Sequence, residues 1–235
     1  MTPIVLIHGG GLDSRCWDRL LPYLDGPALA VDLPGRGVHP ARLETVGFAD
    51  CATSVRGDID AAGFDAVVLV GHSLAGCSMP AMIGVLGERV SHAVFVACTV
   101  PEQGASAFDT LDPEIQAMIR SAGEPLEPAP MDPALAKVVL GNDLDEEQLA
   151  WCSERLVPEA PRLSTDPVDL SPLGIPMPRT WVRTLQDLIV PAAKQARFAI
   201  NVGDCPVVDL DAGHMCMISK PMELAMILNG IAATV

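Results

Sequence analysis

The hydrophobic residues of this chain fall into short apolar runs, and a stretch with helical spacing follows most of them. The runs are five or six residues long, rich in Val, Ile and Leu, and apolar on both faces. Strands buried between two layers of helices have this pattern, whereas half-exposed strands alternate between apolar and polar residues. The pattern predicts six strands: Pro3–Ile7, Ala28–Leu33, Ala66–Val70, Ala93–Cys98, Thr180–Thr184 and Pro206–Leu210.

Helical patterns lie between these runs and after the last of them. They predict helices over Ser14–Leu24, Thr45–Ala62, Ser73–Leu86, Pro191–Asn201 and Ser219–Ala233. Strands that alternate with helices form parallel sheets, because each helix carries the chain back to the same edge of the sheet. The fold class predicted is therefore α/β, with a doubly wound, mostly parallel sheet of about six strands flanked by helices.

Residues 101–178, here called the intervening segment, interrupt this alternation. They contain 12 of the 21 prolines and carry a net charge of −11, against −4 for residues 1–100 and zero for residues 179–235. The helical patterns in this segment are short, and cover Pro113–Ser121, Pro133–Leu140 and Glu146–Leu156. We predict that the intervening segment is an acidic helical cap over the carboxyl edge of the sheet, where such sheets bind ligands. Residues 1–100 and 179–235 then form the core domain.

The overall composition narrows the classes of partner. A net charge of −15 disfavours binding to nucleic acid and to anionic membranes. No apolar run reaches the roughly 18 residues that a membrane-spanning helix needs, and no secretory signal pattern is present. The seven cysteines are irregularly spaced, without a C-x-x-C pair, so we expect buried thiols in a reducing compartment, the cytoplasm, and no metal site.

The most specific motif is G-H-S-L-A-G at residues 71–76, which follows the third predicted strand and opens a predicted helix. A serine in such a strand-to-helix turn is presented for reaction, and small residues two positions before and after it let strand and helix approach closely. Ala75 takes the second of these small positions. The motif predicts Ser73 as a nucleophile, and the alternative is a serine in an ordinary tight turn.

A second motif, H-G-G-G at residues 8–11, ends the first predicted strand. Consecutive glycines let backbone N–H groups face a ligand, as an oxyanion hole requires. The donors predicted are the N–H groups of Gly10 and Leu74. We expect His8 to brace this loop, and no phosphate-binding lysine or G-x-G-x-x-G spacing follows it.

A general base and its carboxylate partner are expected at the same edge of the sheet. His214 follows the last predicted strand, in D-A-G-H, and is the candidate base. Asp187 follows the fifth strand and would fix the tautomer of His214. Asp209 and Asp211 are weaker candidates, because they are too near His214 in the sequence to face it easily.

These motifs together resemble the α/β-hydrolase superfamily, which uses the chain order Ser…Asp…His. Within it, the chain resembles the plant-type methylesterase and hydroxynitrile lyase family, through its I-V-L-I-H-G strand, D-L-P-G-R-G turn, G-H-S-L-A-G motif, helical cap and C-terminal G-H-M. The resemblance extends over nearly the whole chain. It implies the same set of roles: Ser73 as nucleophile, His214 as base, Asp187 as orienting acid, and Gly10 and Leu74 as oxyanion donors.

Two positions distinguish the activities of this family. Its cyanohydrin-cleaving members carry a threonine after the first-strand histidine and a lysine after the catalytic histidine, whereas this chain has Gly9 and Met215. The resemblance therefore favours a serine hydrolase that cleaves small to medium uncharged carboxylic esters, or lactones, through an acyl-enzyme and without a cofactor. The alternatives are a hydroxynitrile lyase-type C–C lyase on the same triad and a ligand-binding, receptor-like protein with little turnover.

The substrate pocket is expected to be apolar and closed by the intervening segment, whose negative charge disfavours anionic substrates. The pocket residues predicted are Gly9, His72, Trp151 and Met215, with Met79 and Met217 as further wall residues for which core packing is the alternative. The one partner predicted is the small-molecule ester. The sequence leaves a homodimer open.

Overall fold

A single sheet organises the molecule, as seen in a computed structural model that describes residues 1–121, 128, 131–203 and 205–235. Within these residues the sheet has six strands, and every neighbouring pair is parallel. The strands are β1 Ile4–Ile7, β2 Ala28–Val31, β3 Val67–His72, β4 Val90–Val96, β5 Arg179–Thr184 and β6 Val207–Leu210. Each one overlaps a strand predicted from the apolar runs.

The order of the strands across the sheet is β2-β1-β3-β4-β5-β6. The chain therefore moves to one side of β1 first and then to the other, so that β1 and β3 lie side by side at the point of reversal. Ile7, the last residue of β1, pairs with Gly71 near the end of β3. Open α/β sheets bind ligands in the crevice at such a reversal. The loops after β1 and β3 are therefore the expected place for a site.

Helices cover both faces of this sheet. Those in the described residues are α1 Phe48–Ala61, α2 Ala75–Leu86, α3 Pro113–Ser121, α4 Pro133–Val139, α5 Glu146–Ser153, α6 Arg162–Thr165, α7 Ala192–Val202, α8 Cys216–Ser219 and α9 Pro221–Ala232. This is the doubly wound architecture that the alternation of strands and helices predicts, so the predicted fold class is confirmed. No helix within the described ranges is both long enough and apolar enough to cross a membrane.

Two hydrophobic cores lie on the two faces of the sheet. Alternate residues of β1 divide between them, with Val5 and Ile7 in the core that includes α1, α2 and α7. Ile4 and Leu6 belong to the other core, which includes α9. Because β1, β3 and most of β4 are buried on both faces, the runs are continuously apolar. A fully buried Val, Leu, Ile or Phe contributes about 1.5–3 kcal/mol, so these strands form a rigid frame for the loops at their ends.

The intervening segment connects β4 to β5 and contains α3, α4, α5 and α6. Its described residues contain no strand. α4 begins at Asp132, whose side chain accepts hydrogen bonds from two backbone N–H groups of the first turn. α5 begins with a capping box formed by Asp145 and Gln148. The remaining residues of the segment, 122–127, 129 and 130, lie outside the described residues.

One predicted helix, Ser14–Leu24, is not continuous. The structure has two short 3-10 turns there instead, Ser14–Trp17 and Leu21–Tyr23. Pro22 gives the physical reason, because it has no N–H to donate to Asp18 and its ring would clash with that carbonyl in a continuous α-helix. The apolar residues of this stretch, whose spacing suggested one helix, therefore lie in and around two short turns.

Candidate active site

Ser73 occupies the sharp turn between β3 and α2. Its φ angle is 53°, which lies in the left-handed region that residues other than glycine rarely adopt. The loop after β4 holds this conformation, because the Ser73 N–H donates to the Val96 carbonyl at 3.1 Å and the Ser73 carbonyl accepts from the Thr99 N–H at 2.9 Å. The strained backbone turns the hydroxyl away from the sheet and towards the crevice.

Small residues around Ser73 allow this turn. A Cβ at Gly71 would collide with the Sδ of Met79 in α2, and a Cβ at Gly76 would lie 2.5 Å from the Thr99 carbonyl oxygen. Ala75 is tolerated at the second small position of the motif and is buried. Strand and helix therefore approach as closely as the motif predicts, and this approach orients the serine.

His214 lies on the loop between β6 and α8, and its ring faces Ser73. The Ser73 Oγ is 2.9 Å from His214 Nε2, and His214 Nδ1 is 2.7 Å from Asp187 Oδ2. A carboxylate can only accept, so the proton of the neutral imidazole belongs on Nδ1. Nε2 is then free to accept the proton of the Ser73 hydroxyl. The structure thus brings together the three residues predicted as nucleophile, base and acid.

Asp187 is fixed by several donors besides His214. Its carboxylate accepts from the Thr184 hydroxyl at 3.0 Å and from the N–H groups of Ile189 and Val190, both at 2.8 Å. Burial by itself raises the pKa of Asp187, but His214 and these hydrogen bonds outweigh it and hold the pKa below the ordinary value. The carboxylate therefore stays ionised beside the imidazole.

His72, directly before Ser73, supports the loop that carries His214. Its Nε2–H donates to the His214 carbonyl at 2.9 Å, and the two rings are 4.7 Å apart. Its Nδ1 is buried and has no hydrogen-bond partner among the described residues. Burial, together with the neighbouring His214, lowers the pKa of His72 to about 3. His72 therefore remains neutral and contributes no charge beside the base.

The predicted oxyanion donors, the N–H groups of Gly10 and Leu74, border the same cavity as Ser73. Neither N–H donates a hydrogen bond to any residue that the structure describes. His8 orients the first of them, because its Nδ1–H donates to the Gly9 carbonyl at 2.9 Å while its Nε2 accepts from the Leu33 N–H at 3.2 Å. The peptide group is planar, so fixing the Gly9 carbonyl also fixes the direction of the Gly10 N–H.

His8 is a bracing residue in this structure. Burial, together with the positive charge of Arg36, lowers the pKa of His8 to about 4. His8 is therefore neutral, which its two hydrogen bonds require, since one nitrogen donates and the other accepts.

The cavity beside Ser73 has a volume of about 450 Å³, which is within the usual range for small-molecule sites. Its wall is predominantly apolar and includes Leu12, Phe108, Leu111, Leu140 and Ile189. Three of these five residues belong to the intervening segment. Of the predicted pocket residues, His72 and Met215 border this cavity.

The other predicted pocket residues lie elsewhere. Gly9 is behind Ser73, where a Cβ would lie 2.8 Å from His72 Nδ1 and 2.9 Å from Ser73 Cβ. Trp151 packs instead against the guanidinium groups of Arg19 and Arg155, which lie 5.2 and 3.9 Å from its ring centroid. These contacts correct the prediction for both positions. Met79 and Met217 are fully buried in the two hydrophobic cores, as the alternative of core packing describes.

The remaining acidic candidates, Asp209 and Asp211, and the histidine at position 92 are engaged in other contacts. Asp209 pairs with Arg183 at 2.7 Å, and Asp211 accepts from the Gln186 side chain at 2.7 Å. His92 bonds the Thr180 hydroxyl at the opposite edge of the sheet. No group of three or more His, Cys, Asp or Glu side chains that could hold a metal ion occurs in the described part of the chain.

Two charged residues near the site, Glu159 and Arg36, did not emerge as functional candidates from the sequence. Glu159 borders the cavity next to Gly10. Arg36 lies in the D-L-P-G-R-G turn and its side chain is 1% exposed. Glu159 is one of 15 acidic residues in the intervening segment, so composition gave no reason to select it. The only sequence feature that singled out Arg36 was its place in the D-L-P-G-R-G motif.

A family model and several known proteins match nearly the whole of this chain. A family model described as "Alpha/beta hydrolase family" matches residues 4–227. Norfluorocurarine synthase 2 from a Strychnos species is 28% identical over 264 residues, which cover 98% of this chain and 95% of that protein. The probable esterase PIR7A from Oryza sativa subsp. indica is 28% identical over 254 residues, which cover 97% of this chain and 96% of that protein. Plant esterases and methylesterases are thus among the relatives, as the motifs predict.

A solved structure gives the same result for the fold. An extracellular alpha/beta-hydrolase from a Paenibacillus species superposes with a TM-score of 0.87, covering 97% of this chain and 98% of that one. The two sequences are 18% identical. This likeness establishes the shared architecture and carries no information about the substrate.

Proposed function

Because this chain belongs to the alpha/beta hydrolase family, we propose that it is a carboxylic ester hydrolase with Ser73 as nucleophile, His214 as base and Asp187 as orienting acid. The observation that carries this proposal is the unbroken line of hydrogen bonds from the Ser73 hydroxyl through the imidazole to the carboxylate, at 2.9 and 2.7 Å. The names of several relatives, which are esterases or methylesterases, support the same class of reaction.

The reaction proceeds in two halves through an acyl-enzyme. His214 Nε2 takes the Ser73 proton as the oxygen attacks the ester carbonyl, and the carbonyl oxygen becomes an oxyanion. The N–H groups of Gly10 and Leu74 stabilise this oxyanion, and the loss of such a donor typically costs about 2.7–4 kcal/mol. His214 then protonates the leaving alcohol, and it activates a water that releases the acid and regenerates Ser73.

Asp187 stabilises the imidazolium that forms during each half of the reaction. Its low pKa, set by His214 and its backbone and hydroxyl donors against the effect of burial, keeps it negatively charged while His214 gains the proton. The neutral His72, whose ring lies 4.7 Å from that of His214, adds no competing positive charge beside the imidazolium. These two conditions favour transfer of the serine proton to His214.

Two local features favour ester hydrolysis over cyanohydrin cleavage. No side chain fits at Gly9 without moving Ser73 or His72, so the threonine expected of a lyase has no room in this backbone. Met215 is fully buried beside His214 and offers no ammonium to a departing cyanide. The serine chemistry itself needs neither group.

The substrate class that fits the cavity is a small to medium uncharged ester or lactone. The wall is mainly apolar, and the charged residues that border it have protein partners. Glu159 pairs with Arg36, and the ammonium of Lys194 donates to the Thr110 carbonyl at 2.7 Å. The intervening segment acts as the cap over this cavity, and its net charge of −11 disfavours anionic esters.

The test is a comparison of wild type with Ser73→Ala over esters of graded acyl and alcohol size. Each neutral ester is paired with a carboxylate-bearing counterpart, and mandelonitrile is included to detect cyanide release. We expect kcat to fall by about four to six orders of magnitude in Ser73→Ala, with neutral esters preferred by the wild type. Ser78→Ala is the matched control, because its hydroxyl bonds within α2 at 3.1 Å to the Ala75 carbonyl.

Three results would contradict the proposal. A loss of only a few-fold in Ser73→Ala would remove the serine from the mechanism. Faster turnover of the carboxylate-bearing esters across a salt series would contradict the substrate class. Cyanide release without ester hydrolysis would favour the lyase.

The thiols support a reducing compartment, which we propose is the cytoplasm. Six cysteines are buried free thiols, namely Cys16, Cys51, Cys77, Cys98, Cys152 and Cys216. Burial raises the pKa of each of these six thiols. They are therefore protonated and unreactive at neutral pH.

A further inference from the structure

Glu159, in the intervening segment, contacts the loop that carries the oxyanion donor Gly10. Its Oε2 accepts the Gly11 N–H at 2.8 Å. Two residues earlier, the Val157 N–H donates to the Gly11 carbonyl at 2.9 Å. Gly11 has a φ angle of 67°, a left-handed conformation that glycine adopts readily. The intervening segment therefore bonds both polar groups of Gly11.

Arg36 supplies the charge that balances Glu159. Its Nη2 bonds Glu159 Oε1 directly. The Arg36 side chain is 1% exposed and that of Glu159 is 19% exposed, so the pair is largely removed from water. Nη1 of Arg36 also donates to the Pro34 carbonyl at 3.4 Å. A carboxylate next to a forming oxyanion would oppose it by repulsion, and the guanidinium cancels this effect.

The Gly10 donor is thus fixed from both sides along the chain. His8 holds the peptide before it through the Gly9 carbonyl, and Glu159 holds the peptide after it through the Gly11 N–H. An oxyanion donor is effective only when it is already aimed at the position where charge develops. The Gly10 N–H lies in the Gly9–Gly10 peptide plane, and the Gly10–Gly11 peptide anchors the Gly10 Cα at the end of that plane. A shift of the Gly10–Gly11 peptide would therefore displace the Gly10 Cα and re-aim the Gly10 N–H.

We propose that Glu159, neutralised by Arg36, is a positioning residue that keeps the Gly10 N–H aimed into the oxyanion hole. It acts through the Gly11 N–H and does not touch the substrate's reacting atoms. This inference rests on the proposed function for its effect on catalysis. The hydrogen bond it invokes can also be measured independently of activity.

The experiment compares four variants with the wild type: Glu159→Ala, Glu159→Gln, the double variant Arg36→Met with Glu159→Ala, and Glu154→Ala as the control. Glu159→Gln keeps an oxygen that can accept from Gly11. Because Glu159→Ala leaves a buried guanidinium without its partner, the double variant removes the Gly11 acceptor with no unpaired charge. Glu154 is an exposed glutamate of the same segment, 3.9 Å from Arg155.

The readouts are kcat and KM on p-nitrophenyl acetate, Tm, and the inhibition constant of a trifluoromethyl ketone, whose adduct with the serine carries an oxyanion. We expect kcat to fall about 10-fold to 100-fold in Glu159→Ala and in the double variant, less than for loss of a whole donor. KM should change less than about threefold, and the inhibition constant should rise in parallel with the loss of kcat. Glu159→Gln should stay within about threefold of wild type, and Glu154→Ala should be unchanged.

Amide hydrogen exchange of residues 8–12 completes the test. We expect the Gly11 amide to exchange at least about tenfold faster in the double variant than in wild type. Unchanged exchange, or an unchanged kcat in a folded double variant, would overturn the inference. So would a rise in KM at constant kcat, since that would make Glu159 part of the substrate wall.

Failure of the proposed function gives a different result. If Ser73→Ala keeps its activity while Gly11 exchange accelerates in the double variant, the esterase proposal fails and the positioning contact stands. If Ser73→Ala is inactive and the double variant matches wild type in both kcat and exchange, the positioning inference alone fails.

Discussion

The loops at the carboxyl edge of the sheet and the intervening segment contribute to the site in different ways. The loops supply the side chains of the proposed triad, Ser73, Asp187 and His214. The intervening segment supplies side chains that bind the backbones of those loops. Glu159 accepts from the Gly11 N–H at 2.8 Å, Asp143 accepts from the Gly213 N–H at 2.5 Å, and the Asn142 side chain donates to the Gln186 carbonyl at 2.8 Å.

These three contacts reach three different loops, those of the proposed oxyanion donor Gly10, the proposed base His214 and the proposed acid Asp187. A reacting group must be one particular chemical type. A backbone N–H, in contrast, can donate to any well-placed acceptor, and a backbone carbonyl can accept from any well-placed donor. We therefore expect substitutions in the sheet-edge loops to abolish chemistry and substitutions in the intervening segment to reduce its rate. The following predictions test that contrast, from the largest expected effect to the smallest.

The largest effect is expected for Asp187→Asn. The amide keeps the shape of the carboxylate but cannot hold His214 in the tautomer that accepts the serine proton, so kcat should fall about four orders of magnitude. KM should change little, because Asp187 is buried behind His214. Measurement of kcat and KM tests this, with Asp209→Asn as the control, since Asp209 is exposed and paired with Arg183. A loss of less than about tenfold would contradict the role of Asp187.

Acid should destabilise the folded protein through two buried histidines at the sheet edge, His8 and His72, whereas the intervening segment contains no histidine. In the folded protein the pKa of His72 is lowered to about 3 and that of His8 to about 4, mainly by burial, whereas an unfolded histidine has a pKa near 6.5. Below about pH 6.5 the unfolded chain therefore binds protons that the folded chain does not. Stability is complete above this pH and is lost as the pH falls towards 4.

Urea unfolding between pH 7.5 and 4.5 measures this loss. Each of the two histidines should contribute a slope approaching ~1.4 kcal/mol per pH unit. His72→Gln keeps a donor for the His214 carbonyl and removes one titrating group, so its slope should be clearly shallower. An identical slope in wild type and His72→Gln would mean that His72 does not remain neutral in the folded protein. Asp187, whose pKa lies below the ordinary value, adds to the loss only below about pH 4.

The smallest effect is expected for Asp143→Ala. Loss of its hydrogen bond frees the Gly213 N–H, next to His214, and kcat should fall by about tenfold, equivalent to ~1.4 kcal/mol. Kinetics and Tm are compared with those of Glu146→Ala, an exposed acidic residue of the same segment. If a folded Asp143→Ala variant kept the wild-type kcat, the intervening segment would not support the loop of the base.

This contrast also explains what the sequence could predict. The strands were predictable because burial on both faces requires continuous apolar runs. Ser73, Asp187 and His214, which the structure brings within hydrogen-bond distance of one another, could be named because the proposed chemistry demands these residue types in positions after strands. The helix over Ser14–Leu24 was predicted wrongly, because apolar spacing outweighed the missing N–H of Pro22.

The supporting residues could not be found in this way. Glu159 and Asp143 are two of many acidic residues in the intervening segment, and their partners are backbone amides that have no signature in the sequence. Trp151 was placed in the pocket because it is a large apolar residue of the predicted cap. In the structure its ring lies against the guanidinium of Arg155, four positions away, and that of Arg19, more than a hundred positions away. Such pairings are set by tertiary packing, not by local pattern.

The left-handed backbone at Ser73, with φ of 53°, creates a trade-off between the stability of the protein and its proposed activity at a single residue. A side chain in this conformation costs on the order of 1–3 kcal/mol, and glycine avoids most of that penalty. We therefore expect Ser73→Gly to be more stable than the wild type, although that variant lacks the proposed nucleophile. Directed evolution of this protein for thermal stability alone would favour inactive variants at this position. Such a selection therefore has to include an activity assay in every round.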